Sequence, residues 1–191
     1  MTAVGRVRRP FLRFVLTLSP LCGTLKDGHK RTRVESYSSL SRIKLKRVTE
    51  MLKGIPKMIS PELLKVLCEM GHGDEIVIAD ANFPAASMAK NLIRADGISA
   101  VSLLDAVLTL FPLDQYDSEH FILMEKVPGD TVSTEVWQEY IDVLKKHSPD
   151  SEPVFVERFA YYERAKKAYA VVATGEERQY ANIILKKGCV K

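Results

Sequence analysis

The chain has 191 residues, 46% hydrophobic and 27% charged. This is the composition of one ordinary globular domain, alone or with a tail, and it excludes a wholly disordered, collagen-like or coiled-coil chain. The net charge of +4 is unevenly spread: residues 1–50 hold 12 Lys and Arg against 3 Asp and Glu, a balance of +9, and residues 51–191 hold 16 against 21, a balance of −5. The acidic remainder argues against a nucleic-acid-binding domain, which needs clustered cations for phosphate contacts.

Other bounds follow from size and cysteine usage. No apolar run approaches the ~18 residues of a membrane span. A core of ~140 residues buries about two-thirds of its unfolded surface and needs no metal or disulfide staple. Cys22, Cys68 and Cys189 form no CxxC pair, and an odd count cannot close within one chain. A reduced, cytoplasmic compartment is the expectation.

Residues 1–50 are expected to form a basic, disordered extension. Arg6, Arg8, Arg9 and Arg13 stand among apolar residues with no acid before Asp27, a pattern shared with mitochondrial transit peptides. Residues 26–46 are polar and serine-rich, without an apolar period that would let them join a core. Globular patterning begins at Met51-Leu52-Lys53-Gly54-Ile55-Pro56, so Met51 is the expected functional start and 51–191 the expected domain.

Ser60, Pro61 and Glu62 open a first helix as N-cap, first-turn proline and first-turn acid. Leu63, Leu64, Leu67, Cys68 and Met70 give it an apolar face, and Gly71 is expected to end it in a left-handed conformation. Residues 75–80 read as a buried strand, and Asn82-Phe83-Pro84 as a loop. Ser102, with Asp105 three residues on, reads as the cap of a second helix that Pro112 stops. Residues 121–124 predict a strand and Pro128-Gly129-Asp130 a turn. Thr134 reads as the cap of a helix over 135–146, with Val136, Tyr140, Ile141 and Leu144 at helical spacing. A strand at 154–156, a short basic helix at 162–167, a strand at 169–174 ended by Gly175 and a last strand at 182–185 complete the chain. Helices alternate with strands that are mostly apolar on both faces. That predicts a layered α/β/α fold with one central sheet and helices on both sides.

The richest stretch for chemistry is Met70-Gly71-His72-Gly73-Asp74-Glu75, with Asp80 closing the strand that follows. Glycine permits φ > 0 and close approach of a ligand to the backbone. Imidazoles exchange protons near neutrality, and open α/β sheets place ligand groups past the carboxyl ends of their strands, where Asp80 falls. His72 as a turn residue and Asp80 as a loop cap remain the plain alternative. A metal reading is weak, because no HxH, HExxH or Cys/His cluster is present. His147 reads as a charge at a helix C-terminus and His120 as a solvated residue. The second cluster runs from Arg158 to Arg164 and then Tyr180-Ala181-Asn182. If the latter is extended, Tyr180 and Asn182 share a face as a phenol and an amide suited to sugar hydroxyls; cross-strand contact and a turn role are the alternatives. Tyr161-Tyr162 reads as a core or surface pair. No GxGxxG, GxxxxGK[ST] or GxSxG occurs, so nothing suggests a nucleotide cofactor or a serine hydrolase.

Taken together, Leu52-Lys53-Gly54-Ile55-Pro56, Ser60-Pro61-Glu62-Leu63-Leu64, Met70-Gly71-His72-Gly73-Asp74-Glu75, Asp80-Ala81-Asn82-Phe83-Pro84, Arg94-Ala95-Asp96-Gly97, Pro112-Leu113-Asp114, Glu163-Arg164-Ala165-Lys166-Lys167-Ala168 and Ala173-Thr174-Gly175-Glu176 resemble the family shared by bacterial fucose mutarotase and D-ribose pyranase, and within it the animal-type mutarotases. The likeness runs from about Leu52 to Gly188. It implies a mixed central sheet and a cofactor-free, metal-free isomerase that interconverts the α and β anomers of L-fucose. D-ribose pyranase activity or a non-catalytic monosaccharide-binding relative are the alternatives. It implies that His72 is catalytic, as proton donor, and that Asp80, Asp114, Tyr162, Tyr180 and Asn182 contact the sugar. Asp80 either accepts a sugar hydroxyl or orients His72. A ring-like homo-oligomer with a sugar site at subunit boundaries is implied as well, with no nucleic-acid or membrane partner.

Overall fold

This computed structural model of the chain describes residues 51–190; the expectations for residues 1–50 fall outside the described residues. Helix α1 (Pro61–Glu69) begins as expected, with the Ser60 hydroxyl accepting from Leu63 N at 3.1 Å. Leu63, Val66 and Leu67 form its buried face. Its end differs from expectation. Met70 turns extended (φ −62°, ψ 135°), and the left-handed residue is Gly73 (φ 86°) rather than Gly71. Strand β1 (Glu75–Ala79) follows, buried from Ile76 to Ala79.

Two short elements in the next segment have no counterpart in the expectations: α2 (Ala85–Met88) and β2 (Leu92–Ala95). A single helical turn has too few residues to show a period. Strand β2 lies at the sheet edge and buries only Ile93 fully, so its apolar signal is one residue long. Helix α3 (Ala100–Leu108) is capped by Ser99, whose hydroxyl accepts from Ser102 N at 3.3 Å. The Ser102/Asp105 spacing mimicked a capping box, and the serine three residues earlier holds that place.

Strand β3 (Phe121–Met124) and helix α4 (Glu135–His147) lie where expected. Thr134, however, makes no side-chain cap bond; the Ser133 hydroxyl accepts from Glu135 N at 3.3 Å instead. After β4 (Val154–Val156), helix α5 (Arg158–Lys167) starts four residues before the expected Tyr162. The reason is Glu157, whose carboxylate accepts from Phe159 N at 2.8 Å and Ala160 N at 3.1 Å, an N-cap outside the usual Ser/Thr/Asp/Asn set. Strands β5 (Ala170–Thr174) and β6 (Ile183–Lys186) close the order.

The six strands form one sheet in the order β2-β5-β1-β6-β3-β4. The pairs β1/β5, β2/β5 and β3/β4 are parallel, and β6 runs antiparallel to both β1 and β3. Five strands therefore point one way and β6 alone runs back between them. The period of two splits the central strands cleanly. Ile76, Ile78, Ala170, Val172, Ile183 and Leu185 face α1, α3 and α4. Val77, Ala79, Val171, Ala173 and Ile184 face α2 and α5. Each fully buried Val, Leu or Ile contributes about 1.5–3 kcal/mol, so both faces of the sheet bear on stability. This is the α/β/α layering with one mixed sheet that the sequence implies.

Candidate functional site

The strand directions put the residues of interest at two ends of the sheet. His72 precedes β1, at its N-terminal edge, and Asp80 follows it. A strand rises roughly 3.3 Å per residue, so the five residues of β1 alone hold these groups about 15 Å apart or more. Within one chain Asp80 does not orient His72.

At the His72 end, residues 71–74 form a turn in which Asp74 N donates to Gly71 O at 3.2 Å and Gly71 N to Asp74 Oδ2 at 2.7 Å. The turn needs φ > 0 at its third residue, which Gly73 supplies. It sets His72 outward, with 47% of its side chain exposed, and puts Nε2 3.1 Å from Asp114 Oδ1. Asp114 is 4% exposed. Its Oδ1 also accepts from Tyr116 N at 3.0 Å, and that bond, with the His72 contact, holds its carboxyl below the ordinary range. A carboxylate only accepts, so the imidazole proton that meets it is on Nε2, and Nδ1 is the nitrogen left for other chemistry. The exposed Tyr116 ring stands edge-on to His72, 5.7 Å between centroids.

The segment carrying Asp114 is fixed by close backbone approach. Asp114 N donates to Lys186 O at 3.0 Å and Gly188 N to Pro112 O at 2.8 Å. A Cβ at Gly188 would sit 2.3 Å from Leu113 O, so this position admits only glycine. A groove of about 620 Å³ opens beside Asp114, lined also by His120 and His147 but not by His72. His147 stands in the last turn of α4, as expected, and His120 differs from expectation. His147 Nε2 bonds Asp105 Oδ1 at 2.7 Å. His120 is not solvated: Nδ1 lies 2.6 Å from Asp117 O, and Nε2 is buried with no partner among the described residues.

At the other end, a cleft of about 230 Å³ is lined by Asp80, Phe83, Tyr162, Tyr180 and Asn182, together with Asn82, Met124, Arg158 and Gln179. Four of the six expected site residues therefore meet here. Asp80 is 4% exposed and clasped by Asn182: Asp80 N donates to Asn182 Oδ1 at 2.9 Å, and Asn182 Nδ2 to Asp80 Oδ2 at 2.7 Å. Asn82 N donates to Asp80 Oδ1 at 2.9 Å. Burial outweighs these bonds and raises the Asp80 carboxyl above its ordinary range. Tyr162 stands against Phe83, 5.7 Å between ring centroids. Its neighbour Tyr161 is fully buried, which resolves that pair.

Tyr180 is not extended. It takes φ 57°, and β6 begins only at Ile183. A non-glycine residue there costs about 1–2 kcal/mol. The cost is met by fixed partners: Trp137 Nε1 donates to Tyr180 O at 2.9 Å, and the Tyr180 hydroxyl to Asp130 Oδ2 at 2.6 Å.

Two residues of this end were assigned no role in the sequence reading, although Arg158 opens its second cluster. Arg158 follows β4 and opens α5, the position past a strand's carboxyl end where sheets of this kind bind ligands; the signal was hidden by the late start assigned to the helix. Its guanidinium lies 4.7 Å from the Phe159 ring centre, and Nε is buried without a partner among the described residues. Asp130 read only as part of a turn. Among the described residues no group of three or more His, Cys, Asp or Glu is placed to hold a metal ion, and no helix is long and apolar enough to cross a membrane.

Comparison with known proteins places this geometry in context. The family described as the RbsD / FucU transport protein family matches residues 53–190. The chain is 55% identical over 139 residues to the L-fucose mutarotase of Actinobacillus pleuropneumoniae serotype 5b, covering 72% of this chain and 96% of that protein. It is 53% identical over 146 residues to the fucose mutarotase of Danio rerio, covering 73% and 95%. Among solved structures it is similar to the fucose mutarotase of Streptococcus pneumoniae in complex with L-fucose, with a TM-score of 0.70 and 53% identity, covering 73% of this chain and 100% of that one.

Proposed function

The chain belongs to the RbsD / FucU family, and from that premise we propose that it interconverts the anomers of L-fucose at a site built from two copies of itself. It is an isomerase, an L-fucose mutarotase. Opening a cyclic hemiacetal removes a proton from the anomeric hydroxyl and delivers one to the ring oxygen. The aldehyde then rotates and the ring closes on its other face. General acid–base assistance of such transfers is typically worth about 10²–10⁴-fold.

His72 is the proton donor: as imidazolium, with Nε2–H held on Asp114, it gives the Nδ1 proton to the ring oxygen, and Nδ1 takes up the proton that leaves the anomeric hydroxyl. Asp114 is a positioning residue: it holds Nε2 and fixes which nitrogen is free. The cleft at the carboxyl end of β1 binds the sugar, with Asp80, Asn182 and Tyr180 receiving hydroxyls, Arg158 donating to one, and Tyr162 and Phe83 covering the C–H face. No nucleotide or metal takes part. Free Cys68 and Cys189 suit a cytoplasmic protein, with neither nucleic acid nor membrane as a partner.

One observation carries the two-copy reading: His72, the exposed imidazole assigned the proton transfer, and the cleft lie at opposite ends of β1, which is buried from Ile76 to Ala79. A sugar spans less than half that distance. The site is therefore completed head to tail, the His72 end of one copy meeting the cleft of the next. A heterologous contact of this kind makes a ring when its rotation closes and a filament when it does not, and the ring is the assembly proposed here. Saturation-transfer NMR of α/β exchange tests the activity, with L-fucose and D-ribose compared at equal enzyme. Faster exchange of L-fucose, undiminished by chelator, is expected; no enhancement for L-fucose would refute the function.

A further inference from the structure

Tyr180 is held at three points. Its backbone sits at φ 57°, its carbonyl accepts from Trp137 Nε1 at 2.9 Å, and its hydroxyl donates to Asp130 Oδ2 at 2.6 Å. Asp130 is itself fixed, since its Oδ1 accepts from Val132 N at 3.0 Å. A phenol has one proton and two acceptor lone pairs. Here the proton has a short, charge-assisted bond that no sugar hydroxyl outcompetes. The bond also raises the Tyr180 phenol and lowers the Asp130 carboxyl, so the arrangement persists through neutral pH. The other charges acting on the pair are Arg158 on Tyr180 and Lys126 on Asp130.

We propose that Asp130 is a positioning and specificity-determining residue: it turns the Tyr180 proton away from the cleft, so that Tyr180 meets the sugar only as an acceptor and selects a hydroxyl that donates. This rests on the sugar-site reading of the cleft. It assigns Tyr180 no part in proton delivery, which stays with His72. It also gives the strained backbone of Tyr180 a function beside the Asp80–Asn182 clasp. Both lone pairs of the phenol are then aimed by the backbone and the carboxylate together, and a rotating hydroxyl that could donate to the wrong group is avoided.

The test uses inhibition by the monodeoxy and monodeoxyfluoro L-fucoses, together with kcat and KM for L-fucose exchange. Fluorine replaces a hydroxyl in size but cannot donate. At the hydroxyl that Tyr180 reads, the fluoro sugar should bind the unaltered protein as poorly as the deoxy sugar. A fluoro sugar that binds like L-fucose at every position would overturn the proposal without any variant. Asp130→Ala should raise KM about tenfold, the scale of one lost hydrogen bond to a charged network, with a smaller change in kcat. Asp130→Asn keeps a carbonyl oxygen for the phenol and should stay within about threefold. The double variant with Tyr180→Phe should be no weaker than Tyr180→Phe alone; additive losses would contradict the coupling. If the protein fails to accelerate L-fucose exchange, the functional reading falls, and the lock is read instead by NMR of ¹³C-labelled tyrosine. Asp130→Ala should then lower the Tyr180 titration midpoint, and an unmoved midpoint overturns the lock.

Discussion

His72 is exposed at a turn and leans on a buried carboxylate, which is the arrangement a proton-transfer group needs: access on one nitrogen and a fixed tautomer on the other. Replacing it by Ala should slow anomer exchange by about 10²-fold or more without loss of fold, and His72→Gln should match it, because glutamine fills the space but does not titrate. A wild-type exchange rate in either variant moves the proton transfer elsewhere. Asp80 makes a different prediction. Burial raises its folded carboxyl above the ordinary value, so its charge costs stability above that raised value, and the cost fades as pH falls and the group protonates. Asp80→Asn should therefore raise the melting temperature at pH 7, show no such gain near pH 3, and abolish sugar binding. A lower melting temperature at pH 7 would contradict the assignment of burial as the larger effect. Asp114 runs the opposite way: its lowered carboxyl stabilises above the unfolded value, and that contribution is lost as pH falls through the folded one.

Among the elements, those written in local chemistry were legible in the sequence. Ser60-Pro61-Glu62 starts α1, and the apolar run at Glu75–Ala79 makes β1, because cap and period are properties of neighbouring residues. Helix α2 and strand β2 were missed because one turn and one buried residue carry no period. The start of α5 was misplaced because its cap is a glutamate. The close approach at Gly188 lay beyond sequence reading too, since it depends on where a distant segment passes. Gly188→Ala would bring a methyl to 2.3 Å from Leu113 O and push out the segment that aims Asp114. The expected cost is about 1–3 kcal/mol of stability with a lower exchange rate, measured by denaturant unfolding and NMR on the same sample. Full stability in this variant would mean that the segment has room to move.

At the scale of the whole molecule, the residue types of the site were readable but their division was not. The sequence reading left Asp80 free to orient His72 although it placed a strand between them; the extended run of β1 holds the two at opposite ends. Likewise the return of β6 between β1 and β3 brings Asn182 to Asp80, a pairing across 102 positions that no local pattern encodes. The family match spans residues 53–190, and a chain beginning at Met51 should keep its melting temperature within a few degrees and its full exchange rate; a larger fall would show that residues 1–50 contribute to the fold. The two-copy site is tested most directly by mixing. His72→Ala subunits keep an intact cleft, and Asn182→Ala subunits keep an intact histidine. After dissociation and reassembly of an equal mixture, about one site in four should unite both intact halves, and α/β-L-fucose exchange should recover to about a quarter of the unaltered rate. Mixed rings as inactive as either variant alone, with subunit exchange verified, would contradict the account and return every site residue to a single chain.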